Sequence, residues 1–161
     1  MLKPSLEQSI FDDVWVCIDL ETTGLSYEND EIIEIGAVKF QGVNSVETFQ
    51  TFINPKQQLS DFIKNYTGIR QEDVECAPSF SSVSDKLASF IGSSPIVGHN
   101  IKFDIGFLER QGLHINNPKC DTWDIAYIML PGIQSYSLQN LVSYMKMKLN
   151  VILWIKLILS K

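Results

Sequence analysis

Asp19 and Glu21 are the first residues in the chain whose types and spacing could do chemistry. They stand two apart at the end of the run Val14-Trp15-Val16-Cys17-Ile18-Asp19-Leu20-Glu21. That run is rich in β-branched and aromatic residues, and a strand of period two projects both carboxylates from one face, with α-carbons about 7 Å apart. Like charges on one face repel, so the pair needs water, a shared proton or a cation between them. A solvated strand end leading into the Thr22-Thr23-Gly24 turn is the plain alternative. Asp104 shifts the balance toward a cation. Its neighbours at helical spacing are Asn100, Ile101, Phe107 and Leu108, so it stands largely on an apolar stripe, where an unpartnered carboxylate costs several kcal/mol. Its own plain alternative is a first-turn Asp favoured by the helix dipole. A helix that follows a short strand can aim its first turn at the end of a neighbouring strand, and Asp19 and Glu21 sit at such an end.

The elements that must position these residues follow from pattern. Two strand candidates, 31–40 and 47–53, succeed the first; they are joined around Gly42 and Asn44 and stopped by Asn54-Pro55, which gives an antiparallel three-strand meander. Residues 79–92 place Phe80, Val83, Leu87, Phe90 and Ile91 at helical spacing, with Pro78 before and Gly92 after. Pro95-Ile96-Val97-Gly98 reads as a short buried strand. A helix over 101–111 follows, with Asn100 at its capping position and Gly112 as its stop. Cys120 ends another short strand, Asp121 caps a helix over 122–130, and Ser137 caps one more with Leu138, Leu141, Val142 and Met145 on one face. A meander followed by strand and helix in alternation predicts an α/β domain with a mixed sheet.

Composition bounds the function. The chain has 161 residues, 45% of them hydrophobic and 20% charged, which suits one globular domain with a core of its own. Three widely spaced cysteines with no C-x-x-C pair support neither a disulfide framework nor a zinc knuckle. No secretory pattern opens the chain and no apolar run reaches the ~18 residues of a membrane span, so a cytoplasmic protein without a membrane partner is expected. The net charge of −6, from 13 Lys and Arg against 19 Asp and Glu, argues against a long nucleic-acid track, because such proteins are usually basic. A short stretch held with the help of bound cations remains compatible, and two divalent ions would cancel two thirds of the excess.

Three blocks carry a family resemblance: Ile18-Asp19-Leu20-Glu21-Thr22-Thr23-Gly24-Leu25, Glu31-Ile32-Ile33-Glu34-Ile35-Gly36-Ala37-Val38 and Val97-Gly98-His99-Asn100-Ile101-Lys102-Phe103-Asp104. In order and spacing the chain resembles the DnaQ-like 3′–5′ exonucleases, the family of the proofreading subunit of the bacterial replicative polymerase, of RNase T and of helicase-linked exonuclease modules. Asp121-Thr122, Tyr136-Ser137-Leu138 and Leu141 match later family positions. The likeness spans roughly residues 14–149, leaving 1–13 as an extension and 150–161 as an atypical apolar tail. It implies an RNase H-like fold, a five-stranded mixed sheet of order 3-2-1-4-5 flanked by helices. It also implies two Mg²⁺ or Mn²⁺ ions held by Asp19, Glu21 and Asp104, and substrate contacts from Thr22, Thr23, Leu25, Asn100 and Phe103. Carboxylate and water ligation suits such hard cations. Phe103 also has a plain core reading, favoured for it because helical aromatics usually pack, and Glu34 matches a structural site rather than a ligand. The implied partners are single-stranded DNA or RNA 3′ ends, in a polymerase or helicase assembly or in a free nuclease.

The family's third motif is a His followed about five residues later by Asp, after the Tyr-Ser-Leu segment; the His serves as general base and the Asp as a further ligand. The two histidines, His99 and His114, both lie upstream, and no Asp follows Asp124. His99 is the first candidate for a substitute base. From Asn150 the sequence loses polar periodicity, as a truncated or frame-shifted reading of a longer gene would. A buried final strand or helix is the alternative for this tail. The expected function is therefore a 3′–5′ exonuclease domain impaired by loss of the third motif. The alternatives are a silent nucleic-acid- or partner-binding module of the same fold, and an adaptor docking through its tail.

Overall fold

The structure, a computed structural model, describes residues 13–145. Strands β1 (Val14–Thr22), β2 (Ile32–Gln41) and β3 (Asn44–Phe52) form the expected meander. β1 and β2 run antiparallel with Asp19 opposite Gly36 and Glu21 opposite Glu34, and β2 and β3 run antiparallel with Lys39 opposite Glu47. The hairpin between β2 and β3 is tighter than the sequence pattern implied. Gly42 takes φ 58°, a left-handed conformation open to glycine at no steric cost, so β3 begins directly at Asn44.

After the meander come helices α1 (Asp61–Thr67), α2 (Gln71–Glu75) and α3 (Phe80–Ile91), then β4 (Ile96–Gly98), α4 (Ile101–Arg110), β5 (Lys119–Asp121), α5 (Thr122–Met129) and α6 (Leu138–Met145). β4 joins β1 in parallel and β5 joins β4 in parallel, giving a five-stranded mixed sheet of order β3-β2-β1-β4-β5. This is the RNase H-like α/β arrangement.

The main core lies between the sheet and two helices. Val16, Ile18 and Leu20 of β1 and Ile35 and Ala37 of β2 meet Val83, Leu87 and Ile91 of α3 and Ile101, Ile105 and Leu108 of α4, all buried. Each large aliphatic among them contributes about 1.5–3 kcal/mol by leaving water, which fixes α3 and α4 on one face of β1. A smaller cluster of Ile33, Leu59, Ile63, Ile69 and Val74 anchors α1 and α2. These two helices had no periodic signal, because 7 and 5 residues do not fill the window that periodicity needs. Local chemistry sets them nonetheless: Ser60 Oγ accepts from the Ile63 amide at 3.2 Å, and Gly68 closes α1 at φ 77°.

One expectation is corrected. Asn100 does stand just before α4, but its backbone is left-handed, at φ 59° and ψ 42°, and its side chain caps nothing. A side-chain cap needs an extended residue at that position. The carboxylate of Asp121, arriving from β5, takes the Asn100 and Ile101 amides instead, at 2.9 and 3.1 Å. Asp121 also caps its own helix through the Trp123 amide, and Ser137 Oγ accepts from the Asn140 amide, both as expected. The expectations for residues 1–12 and for the apolar tail lie outside the described residues.

Candidate active site

β1 carries Asp19 and Glu21 to the end of the sheet, where β4 stops short. β4 pairs with β1 only at Val16 and Cys17, so beyond that point the edge of β1 is open. Asp104 fills the gap. The turn from β4 into α4 brings its carboxylate alongside β1, and Oδ1 accepts the Leu20 amide at 2.9 Å. Leu20 lies between Asp19 and Glu21 and sends its own side chain into the core, so Asp104 is fastened between the two strand carboxylates. The sequence pattern placed it on an apolar stripe; the structure shows it 4% exposed.

All three carboxylates line one cavity of about 610 Å³, together with Thr22, Leu25, His99, Asn100, Phe103 and residues of α1. Burial, above all, and then the charge of Asp19 push the Asp104 carboxyl well above the usual carboxylate range. Glu21 adds to this, while the Leu20 and Asp104 amides oppose it. Burial, with help from Asp19 and Asp104, likewise raises the Cys17 thiol, which removes it as a nucleophile. The donor set of carboxylate oxygens suits a hard divalent cation, and a buried acid crowded by two others is what such a cation would relieve. Among the described residues, however, no group of three or more His, Cys, Asp or Glu is drawn tightly enough to hold a metal ion as it stands. The three share a cavity without closing into a ligand shell.

The other sequence-selected residues divide. Thr22 is buried on the cavity wall, with Oγ1 donating to the Gly24 carbonyl at 2.6 Å. Leu25 stands 83% exposed at the rim. Asn100 lines the cavity, as does Phe103, which also packs on Phe107 and Tyr27 at ring distances of 5.0 and 6.0 Å. Thr23 does not reach the cavity. Its hydroxyl donates to Asp30 and accepts from the Glu31 amide and from Gln57, bracing the turn that carries Leu25. Glu34 is buried beneath, accepting from Gln50 Nε2 at 2.8 Å.

Sequence reasoning missed the far wall. Phe62 and Tyr66 of α1 stack at 5.9 Å with planes 10° apart, and are 72% and 76% exposed; both line the cavity, with Gln139 of α6 beyond. Their i, i+4 spacing between a Ser cap and a Gly stop was the available signal. Gln139 carried none.

The RNase H-like sheet thus carries three carboxylates on one cavity at the carboxyl ends of its parallel strands, the end at which open α/β sheets commonly bind ligands. The exonuclease family model matches residues 16–151. Similar proteins include the PolC-type DNA polymerase III of Caldanaerobacter subterraneus subsp. tengcongensis, 39% identical over 139 residues, and that of Clostridium perfringens, 40% identical over 137. These matches take in 84% and 83% of this chain but 10% and 9% of the polymerases, so the chain spans about a tenth of their length. Among solved structures, exonuclease X in complex with 5′-overhanging duplex DNA superposes with a TM-score of 0.68 at 26% identity, covering 82% of this chain and 73% of that one. A product-bound exonuclease I shares the fold at TM-score 0.72 and 16% identity, over 92% of this chain and 42% of that one. The chain belongs to the DnaQ-like 3′–5′ exonuclease family.

Proposed function

We propose that this domain acts on single-stranded DNA 3′ ends, with Asp19, Glu21 and Asp104 as ligands for two divalent ions, Mg²⁺ or Mn²⁺. The observation that carries the reading is the single cavity shared by these three carboxylates, with Asp104 fixed between the other two by the Leu20 amide. Such ions, when bound, supply a polarised water and neutralise the charge that develops on the scissile phosphate and the departing 3′ oxygen. The chain's own residues do the rest. Asp19 and Glu21 approach from the strand and Asp104 from the helix, while Thr22, Leu25, Asn100 and Phe103 shape the pocket for the terminal nucleotide. Phe62 and Tyr66 offer flat apolar faces on which unpaired bases stack. DNA is favoured over RNA by the polymerase relatives, which also favour a polymerase assembly as the setting.

Hydrolysis by this chain is impaired in the same reading. Beyond Leu138 the sequence holds neither His nor Asp, so the family's base and its further ligand have no counterpart there. General-base assistance is worth about 10²–10⁴ in rate. That loss equally supports a silent nucleic-acid-binding module, and one assay separates the two. A 5′-labelled single-stranded oligonucleotide incubated with the full chain and Mn²⁺ releases nucleoside monophosphates slowly from its 3′ end, and Glu21→Ala abolishes the release. Binding of the oligonucleotide with no release at any time would replace the nuclease by the silent module. Release at an ordinary exonuclease rate would show that a substitute base is at work.

A further inference from the structure

Thr23 follows directly on the buried wall residue Thr22, and yet its hydroxyl is spent entirely on the protein. It donates to Asp30 Oδ1 at 2.9 Å, and it accepts from the Glu31 amide at 3.0 Å and from Gln57 Nε2 at 3.1 Å. A hydroxyl has one proton and two lone pairs, so all three are engaged. Asp30 holds the other side of the same turn. Its Oδ2 accepts the Ser26 amide at 2.9 Å, and its own amide donates to the Ser26 carbonyl at 2.9 Å. One carboxylate thus fastens Thr23 and Ser26, and Leu25 stands between them on the cavity rim. Gly24 makes room for that carboxylate: a Cβ there would fall 2.4 Å from Asp30 Oδ2 and 2.6 Å from Oδ1, inside any van der Waals contact. Gln57 belongs to the segment that leads into α1, the helix of Phe62 and Tyr66. Thr23 therefore joins two walls of the cavity, the turn that carries Leu25 and the helix that carries the stacked rings.

We infer that Thr23, Asp30 and Gln57 are positioning residues for a single-stranded end. Asp30 sets the turn that presents Leu25, and Thr23 with Gln57 sets the distance of that turn from α1, so that the exposed leucine and the aromatic pair meet one strand together. The binding half rests on the exonuclease reading of the cavity; the dependence of the turn on Asp30 does not. A hydrogen bond to an ionised carboxylate is roughly twice as strong as one between neutral groups, and the Gln57 contact is exposed to water. Losing Asp30 therefore costs more than losing Gln57.

The test uses the full chain. Amide exchange without metal reads the turn: in Asp30→Ala the Ser26 amide exchanges about tenfold faster or more, and Gly24→Ala, which displaces the carboxylate without removing it, has the same effect. Unchanged exchange in either variant overturns the clamp. Fluorescence anisotropy with a labelled single-stranded oligothymidylate and Mn²⁺ reads the positioning. Thr23→Val and Asp30→Ala weaken binding about fivefold or more, the equivalent of one hydrogen bond of ordinary net worth, and Gln57→Ala about twofold. Thr23→Ser keeps the hydroxyl and restores the affinity. Because the hydroxyl acts through its neighbours, Thr23→Val costs less in a Leu25→Ala background than in the parent, and Gln57→Ala costs nothing further in Thr23→Val. Losses that multiply in full mark a general structural effect and overturn the positioning, as does parental affinity in Thr23→Val or, should that variant not fold, in Asp30→Ala. Failure of the parent itself to bind the oligonucleotide sinks the exonuclease reading, and the exchange result on the turn then stands apart from it.

Discussion

Asp104 is where the physics of single residues is most exposed. Its type and stripe were legible in the sequence, because a carboxylate amid Ile101, Phe107 and Leu108 asks for a partner. The partner was not legible: it is a backbone amide 84 residues away in the chain, and nothing local encodes that. Since burial and the Asp19 charge raise its folded-state pKa above the unfolded value, the folded metal-free protein binds this proton more tightly than the unfolded chain does. The stability linked to Asp104 is therefore present below the ordinary carboxylate pKa and is lost as pH rises through the raised value. Metal-free Tm should fall across that window in the parent and stay flatter in Asp104→Asn, which keeps the oxygen for the Leu20 amide and sheds the charge. Near neutral pH the variant should melt higher than the parent without metal, and Mn²⁺ should raise the parent's Tm alone. Thermal melts over a pH series, with and without Mn²⁺, check the sign.

At the scale of elements, long periodic segments were readable and short ones were not. α3 announced itself through five apolar residues at helical spacing. α1 and α2 depended on a small cluster around Ile33 that no stretch of sequence displays. The omission mattered because α1 supplies the aromatic wall. Phe62→Ala and Tyr66→Ala should each weaken binding of a single-stranded oligonucleotide by about 1–3 kcal/mol, the worth of one base on an aromatic face. Both rings are exposed, so stability should move by no more than about 0.5 kcal/mol; fluorescence anisotropy and a urea melt report the two quantities. The packing of α4 makes a complementary prediction. A Cβ on Gly106 would fall 2.7 Å from the Tyr27 ring, which itself packs on Phe103 and Phe107. Gly106→Ala should cost about 1–3 kcal/mol, the usual penalty of overpacking, seen as a lower urea midpoint at unchanged slope.

For the whole molecule, strand order was expected from the family likeness, and the sheet of order β3-β2-β1-β4-β5 bears it out; the meeting of β1 with α4 was expected from strand parity and the apolar stripe, and the Leu20–Asp104 hydrogen bond makes it. Pattern alone reached a mixed α/β sheet and stopped there, because parallel pairing between β1, β4 and β5 joins segments far apart in the chain. Net charge of −6 also belongs to this scale. A chain that grips few phosphates and relies on bound cations should show a shallow dependence of oligonucleotide affinity on monovalent salt, since the slope counts phosphates neutralised by Lys and Arg. It should show a steep dependence on Mn²⁺, and titrations at several NaCl concentrations separate the two. The central claim is that Asp19, Glu21 and Asp104 form one metal site. The most direct test is anomalous scattering from crystals of the full chain soaked in Mn²⁺: the peak should lie within ligand distance of Asp19 and Asp104 and vanish in Asp19→Ala. A peak elsewhere on the protein, or one that survives Asp19→Ala unchanged, would contradict it.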